Sequence, residues 1–137
     1  MAGRRVGGAR VPSPVQAELS RLARAFRYAG RGWLYVLRTQ RNARWHLAAT
    51  LGVGLAGWWF SISRLEAGLL ILAIGLVWAA EALNTALEAL ADRCAPEPHP
   101  LVAAAKDAAA AGVLAAALSA IGVGIAVFGP YLLGMKP

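Results

Sequence analysis

The stretch Glu81-Ala-Leu-Asn-Thr-Ala-Leu-Glu-Ala-Leu-Ala-Asp92 closes a long apolar run, yet it carries three carboxylates and an amide. At about 100° per residue, Asn84, Glu88 and Asp92 fall at roughly 300°, 340° and 20° from Glu81, so the four share one narrow stripe of a single helix. Ala82, Leu83, Leu87 and Leu90 between them are apolar. A helix over these twelve residues is roughly 16 Å long. With Asp92 at a membrane surface, Glu81 lies well inside the hydrocarbon. An ionisable group at that depth is costly and marks a functional centre by default.

The apolar run feeding this stripe predicts a membrane span over about 67–92 that returns to the aqueous side near Arg93. The loop Cys94-Ala-Pro-Glu-Pro-His-Pro100 follows, and its three prolines exclude helix there. Another span is expected over about 101–133, with Lys106-Asp107 in its first two turns and a small-residue run at 108–112 behind them. Upstream, a span over about 47–63 is near the lower length limit for crossing, with Trp58, Trp59 and Phe60 at its far end. A polar turn over residues 38–46 leads into it. Over about 15–38, Leu19, Leu22, Phe26, Trp33 and Leu37 gather on one face and Arg24, Arg27, Arg31 and Arg38 on another. That is the pattern of an amphipathic helix lying in the membrane interface. Residues 1–14 read as a disordered basic tail. The expected fold is therefore an all-α membrane protein, with three transmembrane helices plus an N-terminal amphipathic surface helix in one domain over 15–137.

Composition supports the same class. Of 137 residues, 58% are hydrophobic and 15% charged, against about 25% charged in soluble domains. A net charge of +7 raises the question of nucleic acid, but ten of the fourteen basic residues precede Trp45 and six of the seven acidic ones follow Ser63. A basic tail beside apolar spans reads as cytoplasmic anchoring with attraction to anionic lipid. No nucleic-acid module is present, and nucleic acid is not expected as a partner. The distribution of cations predicts a cytoplasmic N-terminus and a C-terminus on the outer side. The single Cys94 excludes an internal disulfide and a cysteine-rich metal cluster. Phosphate-cradling GxxxxGK[ST], GxSxG and HExxH patterns are absent.

Each candidate residue has a chemical reading and a plainer one. Glu81 suits a general base acting on a weakly acidic hydroxyl; alternatively it is a structural carboxylate neutralised by a partner such as Lys106. Glu88, two turns nearer the cytosol, suits a divalent cation completed by water and substrate phosphates; otherwise it is a solvated interface glutamate. Lys106 and Asp107 open the last helix, where free backbone N–H groups and a lysine make an anion site; otherwise they are a snorkelling lysine and an acidic first-turn residue. Asn84 orients a carboxylate or a phosphate oxygen, or bonds another helix. His46 and His99 are isolated in the sequence and read as interface residues rather than metal ligands.

The pattern Glu-x-x-Asn-Thr-Ala-Leu-Glu-x-x-x-Asp, a loop with His99, then Ala-Lys-Asp and a small-residue helix, resembles the prokaryotic diacylglycerol kinase and undecaprenol kinase family. Phe26, Ala29, Gly30 and the Gln40-Arg41-Asn42 to His46 segment fit as well, so the likeness runs over about 19–133. The resemblance implies a homotrimer in the cell inner membrane with active sites shared between neighbouring subunits. It implies transfer of the ATP γ-phosphoryl group, with Mg²⁺, to the hydroxyl of a membrane lipid such as undecaprenol or diacylglycerol. Glu81 matches the family's general base and Glu88 its metal-binding glutamate. Asn84, Asp92, Lys106 and Asp107 match residues that hold nucleotide or order the site. Glu97 and His99 match the nucleotide-contacting loop, Tyr28 the approach of the surface helix to nucleotide, and Arg21 a lipid-binding position. One departure stands out. Gln40 occupies the place where the family carries a second metal-binding glutamate, so a nucleotide–metal clamp there would lose one ligand charge. A catalytically decayed assembly or binding protein of the same fold is the alternative, and a small transporter using Glu81 in a proton relay is a third reading.

Overall fold

A computed structural model of the chain describes residues 13–135. Four helices follow one another: α1 (Pro14–Thr39), α2 (Arg41–Trp59), α3 (Arg64–Cys94) and α4 (Pro100–Leu132), with no strand among the described residues. The chain divides into two compact units, one ending at Trp33 and the other beginning at Leu34.

The first unit is the helical part of α1 up to Trp33. Ser13 and Gln16 exchange hydrogen bonds, Ser13 N–H to Gln16 Oε1 at 3.0 Å and Gln16 N–H to Ser13 Oγ at 3.3 Å. This reciprocal cap, with Pro14 at the first helical position, starts the helix inside what reads as the tail; the rest of that tail lies outside the described residues. Leu19, Leu22 and Phe26 are exposed.

In the second unit, α4 packs along α3, and α2 packs against α3. The break between α1 and α2 is a single residue. Gln40 is extended (φ −98°, ψ 119°), and its side chain makes no cap bond to α2. Its N–H still donates to Val36 O at 2.9 Å. The expected polar turn over 38–46 is therefore mostly helix: Arg41, Arg44 and His46 ride on α2, because Gln40 alone gives up helical geometry.

The turn between α2 and α3 is built tightly. Ser61 adopts a left-handed conformation (φ 49°), and Ile62 N–H reaches back to Gly57 O at 3.2 Å. A Cβ at Gly57 would sit 3.0 Å from Ile62 Cδ1. Ser63 then caps α3 in a reciprocal box with Glu66: Ser63 N–H donates to Glu66 Oε2 at 2.9 Å and Glu66 N–H to Ser63 Oγ at 3.3 Å. Tyr131 O–H of α4 also donates to Glu66 Oε2 at 3.0 Å, tying that end of α3 to α4. At the opposite end, Pro100 occupies the first turn of α4, and His99 Nδ1 accepts from Leu101 N–H at 3.2 Å.

With 31 and 33 residues, α3 and α4 are long and apolar enough to cross a membrane. At about 1.5 Å per residue α3 is roughly 46 Å long, more than the ~30 Å of hydrocarbon that an upright crossing needs. Helix α2 is less apolar because its first turn is Arg41-Asn42-Ala43-Arg44. Beside a small apolar core that includes Leu70, Val77 and Val127, many large apolar side chains face outward, unlike in a soluble bundle. Leu72 and Leu83 of α3 are 73% and 72% exposed, whereas the largest fully buried side chain among the described residues is Glu81. Removing the α3 cap should weaken the unit: Ser63→Ala is expected to cost about 1 kcal/mol, read as a lowered thermal midpoint in detergent. An unchanged midpoint would discount the cap.

Candidate active site

Helix α3 arranges its polar stripe as a gradient of exposure. Glu81 is 1% exposed and Asn84 7%, Glu88 is half-buried, and the Asp92 side chain is 70% exposed. Seven residues separate Glu81 from Glu88, about 10 Å along the axis. Thr85, also buried, points its hydroxyl back to Glu81 O at 2.8 Å and so adds no free polar group to the stripe.

Two amides grip Glu88. Gln40 Nε2 donates to one carboxylate oxygen at 2.9 Å, and Asn84 Nδ2 donates to the other at 3.0 Å. Sequence reading set Gln40 beside Glu88 as a ligand; the contact that joins them is a donated N–H. Each carboxylate oxygen keeps a second lone pair, so Glu88 can still accept a cation. Among the described residues no group of three or more His, Cys, Asp or Glu side chains could hold a metal unaided.

Nearer the surface, Lys106 Nζ of α4 lies 2.8 Å from Asp92 Oδ1 of α3. Asp92, Glu97, His99 and Lys106 together line a cleft of about 540 Å³ formed with the proline loop. Four residues that are scattered in the sequence thus meet at one cleft, which offers a cation, an imidazole and two carboxylates. Asp107 is exposed on α4 and is not part of this lining. Arg21 and Tyr28 belong to the first unit, where Arg21 pairs with Glu18 at 2.9 Å and the Arg27 guanidinium lies 5.8 Å from the Tyr28 ring centre.

One residue expected only at the membrane interface instead meets the deepest carboxylate of the stripe. His46 of α2 places Nε2 3.8 Å from Glu81 Oε2, and its ring meets that of Trp78 edge-on at 6.4 Å. Trp78 in turn donates to Thr50 Oγ1 at 3.1 Å. The pair is separated by 35 positions and lies on different helices, so no helical spacing could have announced it.

Residues 27–128 match the family described as prokaryotic diacylglycerol kinase. The undecaprenol kinase of Bacillus subtilis is 39% identical over 115 residues, covering 84% of this chain and 94% of its own. The chain belongs to the prokaryotic diacylglycerol kinase family. Two diacylglycerol kinases are similar as well. The diacylglycerol kinase of Synechocystis sp. is 38% identical over 112 residues, 81% of this chain and 64% of its own. That of Escherichia coli K12 is 31% identical over 102 residues, 74% and 84% respectively. A family member whose α3 and α4 are each long and apolar enough to span is a membrane protein.

A carboxylate as buried as Glu81 is a poor source of stability, because desolvation offsets what its contacts supply. Glu81→Gln is therefore expected to leave the thermal midpoint in detergent unchanged or raised. A clear fall would mark Glu81 as a structural residue instead.

Proposed function

We propose that this chain is a lipid kinase that transfers the γ-phosphoryl group of ATP to the hydroxyl of a membrane lipid alcohol at the cytoplasmic interface. Undecaprenol and diacylglycerol, named for its relatives, are the acceptors to test. The observation that carries this reading is the graded stripe of α3. A fully buried carboxylate is joined, about 10 Å away along one helix, to a half-buried carboxylate one turn before Asp92, which lines a polar cleft. The acceptor hydroxyl resides in lipid and the donor phosphates in water, so a site joining them needs groups at both depths.

Glu81 acts as the base. It takes the hydroxyl proton while the oxygen forms a bond to the γ-phosphorus, and the bond from that phosphorus to the bridging oxygen breaks, with ADP leaving with the electron pair. Phosphoryl transfer of this kind depends mainly on positioning and charge neutralisation. Lys106, held by Asp92, neutralises phosphate charge, with Glu97, His99 and Asp107 at the nucleotide end and Asn84 fixing Glu88. Glu88 fits as the protein ligand of Mg²⁺, since magnesium uses one or two carboxylates and takes its remaining ligands from water and phosphates. When bound, Mg²⁺ offsets the charge developing on the transferring group. Gln40 fits as a neutral second ligand once its amide turns its oxygen, rather than its nitrogen, towards the site. Arg21 as a lipid contact and Tyr28 as a nucleotide contact rest on the family resemblance.

Around this site the proposal extends to the assembly. Three spans, with α2 as the third, cross the cell inner membrane with the N-terminus inside and the C-terminus outside, and residues 15–137 act as one kinase domain. Leu51 and Leu55 of α2 are exposed and Trp58 and Trp59 close its far end, which suits a lipid-facing helix with an aromatic anchor. The exposed small residues of α4 suit close packing between subunits of a homotrimer. A second reading, a catalytically decayed assembly protein, draws on the Gln40 amide bound to Glu88 where a second carboxylate is expected.

Purified protein in mixed micelles should move radiolabelled phosphate from ATP to undecaprenol or diacylglycerol. Glu81→Gln should lower turnover by roughly 10²-fold or more while leaving nucleotide binding intact. Full turnover in that variant sinks the base assignment, and no transfer to any lipid alcohol by the wild-type protein favours the decayed assembly. Magnesium dependence is the second test. Gln40→Glu restores a ligand charge and should lower the Mg²⁺ concentration giving half-maximal rate; an unchanged requirement would place Gln40 outside the metal site.

A further inference from the structure

Two buried side-chain atoms among the described residues have no hydrogen-bond partner: His46 Nε2 and Asn84 Oδ1. His46 Nε2 lies 3.8 Å from Glu81 Oε2, and Asn84 stands one turn further along the same stripe of α3. Buried polar atoms are nearly always satisfied, so two orphans around one buried carboxylate point to polar atoms supplied from outside the chain. The His46 separation from Glu81 is informative. At 3.8 Å it exceeds a direct hydrogen bond. His46 Nε2 is sealed from solvent as the side chains stand, and a small rotation that opens it lets one oxygen at roughly 2.8 Å from each group bond to both. Such an oxygen must donate to the carboxylate and accept from the imidazole N–H. A hydroxyl does both with one atom.

We propose that His46 is a substrate-contacting residue that seats the acceptor hydroxyl against Glu81. This inference rests on the lipid-kinase reading and deepens it. The hydroxyl donates its hydrogen to Glu81 Oε2 and accepts a hydrogen bond from His46 Nε2–H. When Glu81 removes the proton, the oxygen keeps the imidazole bond, which strengthens as negative charge develops and aims a lone pair at the phosphorus. His46 is suited to the task by its place. It lines an apolar groove of about 380 Å³ between α2, α3 and α4, walled by Ala49, Val53, Ile74, Val77 and Ile121. The groove leaves room for the hydrocarbon next to the alcohol, with His46 and Thr50 as polar side chains in its wall; Glu81 is not in that wall and is reached from it through His46. Trp78, bonded to Thr50 and edge-on to the imidazole, holds the ring in place. Asn84 Oδ1 remains as a second unpartnered acceptor, one turn along α3.

The test varies the lipid acceptor at saturating ATP–Mg²⁺ in mixed micelles, then ATP at saturating acceptor. His46→Ala is expected to lower kcat/KM for the acceptor by roughly ten-fold or more, the loss of a hydrogen bond to a charged transition state. The KM for ATP should stay within about two-fold, because the nucleotide cleft is untouched. His46→Gln, which keeps an N–H donor, should recover part of the loss, whereas His46→Phe, which keeps the ring and not the donor, should recover none. An acceptor analogue with hydrogen in place of the hydroxyl should inhibit wild type and His46→Ala equally. Wild-type kinetics in His46→Ala, or equal activity of His46→Gln and His46→Phe, overturns the hydroxyl seat while the kinase reading stands. A fall of acceptor and ATP parameters together in all three variants, with a lowered thermal midpoint, overturns it in favour of a structural histidine. Failure of the wild-type protein to phosphorylate any lipid alcohol removes the kinase reading and this inference with it.

Discussion

A carboxylate with 1% of its surface exposed governs the architecture. Burial of an ionisable group costs several kcal/mol even after the surroundings relax, and here the cost falls in a unit whose apolar side chains face outward. The helices answer it locally. Helix α2 brings His46 within 3.8 Å of the carboxylate, and Trp78 fixes that histidine through its ring and through Thr50. The neighbouring polar groups of α3 are likewise buried, Asn84 and Thr85 on either side of one helical turn. A unit designed only for stability would place leucine at position 81. The polar layer is intelligible as the interior of a site that a substrate completes.

The same stripe also explains why α3 is longer than a span requires. A helix ending at the membrane surface near Glu81 could carry a base but no partner for phosphate. Extending it to Cys94 carries Glu88 and Asp92 outward, to where Lys106 and the proline loop form a cleft. The loop itself is short and stiff, with three prolines in seven residues, and it returns the chain so that the start of α4 stands beside the end of α3. His99 closes the turn by capping α4 while also lining the cleft, so the local structure and the polar surface are built from one residue.

The all-helical fold and the stripe were legible because both are local: 3.6-residue periodicity, a long apolar run and prolines that forbid helix. Two helix starts lie in segments whose composition resembles a tail and a turn. Ser13-Pro14 with Gln16 begins α1, and Gln40 alone separates α1 from α2. The first turns on hydrogen bonds and the second on the backbone angles of one residue, and a polar run of helical residues gives hydrophobic periodicity nothing to register. The site was half legible. Glu81, Asn84, Glu88 and Asp92 announce themselves by shared spacing, whereas Lys106 reaching Asp92, Gln40 reaching Glu88 and His46 reaching Glu81 are contacts between separate helices. Side-chain identity at one position does not encode a partner 14, 48 or 35 residues away.

Gln40 shows how much one atom changes. A glutamate in its place would present two acceptors to Glu88 and would need a cation between them. The amide presents an N–H instead, and the two side chains bond directly at 2.9 Å. The carboxylate is then held in position without metal, by Gln40 on one oxygen and Asn84 on the other. Such a site is organised before its ligand arrives, so less ordering accompanies binding, but it offers one negative charge where two would attract a divalent ion more strongly. In the proposed site, the lower charge on the protein would shift the task of holding a cation to the substrate phosphates. Cation and nucleotide would then be expected to bind together rather than in sequence, the phosphates supplying ligands that the protein does not.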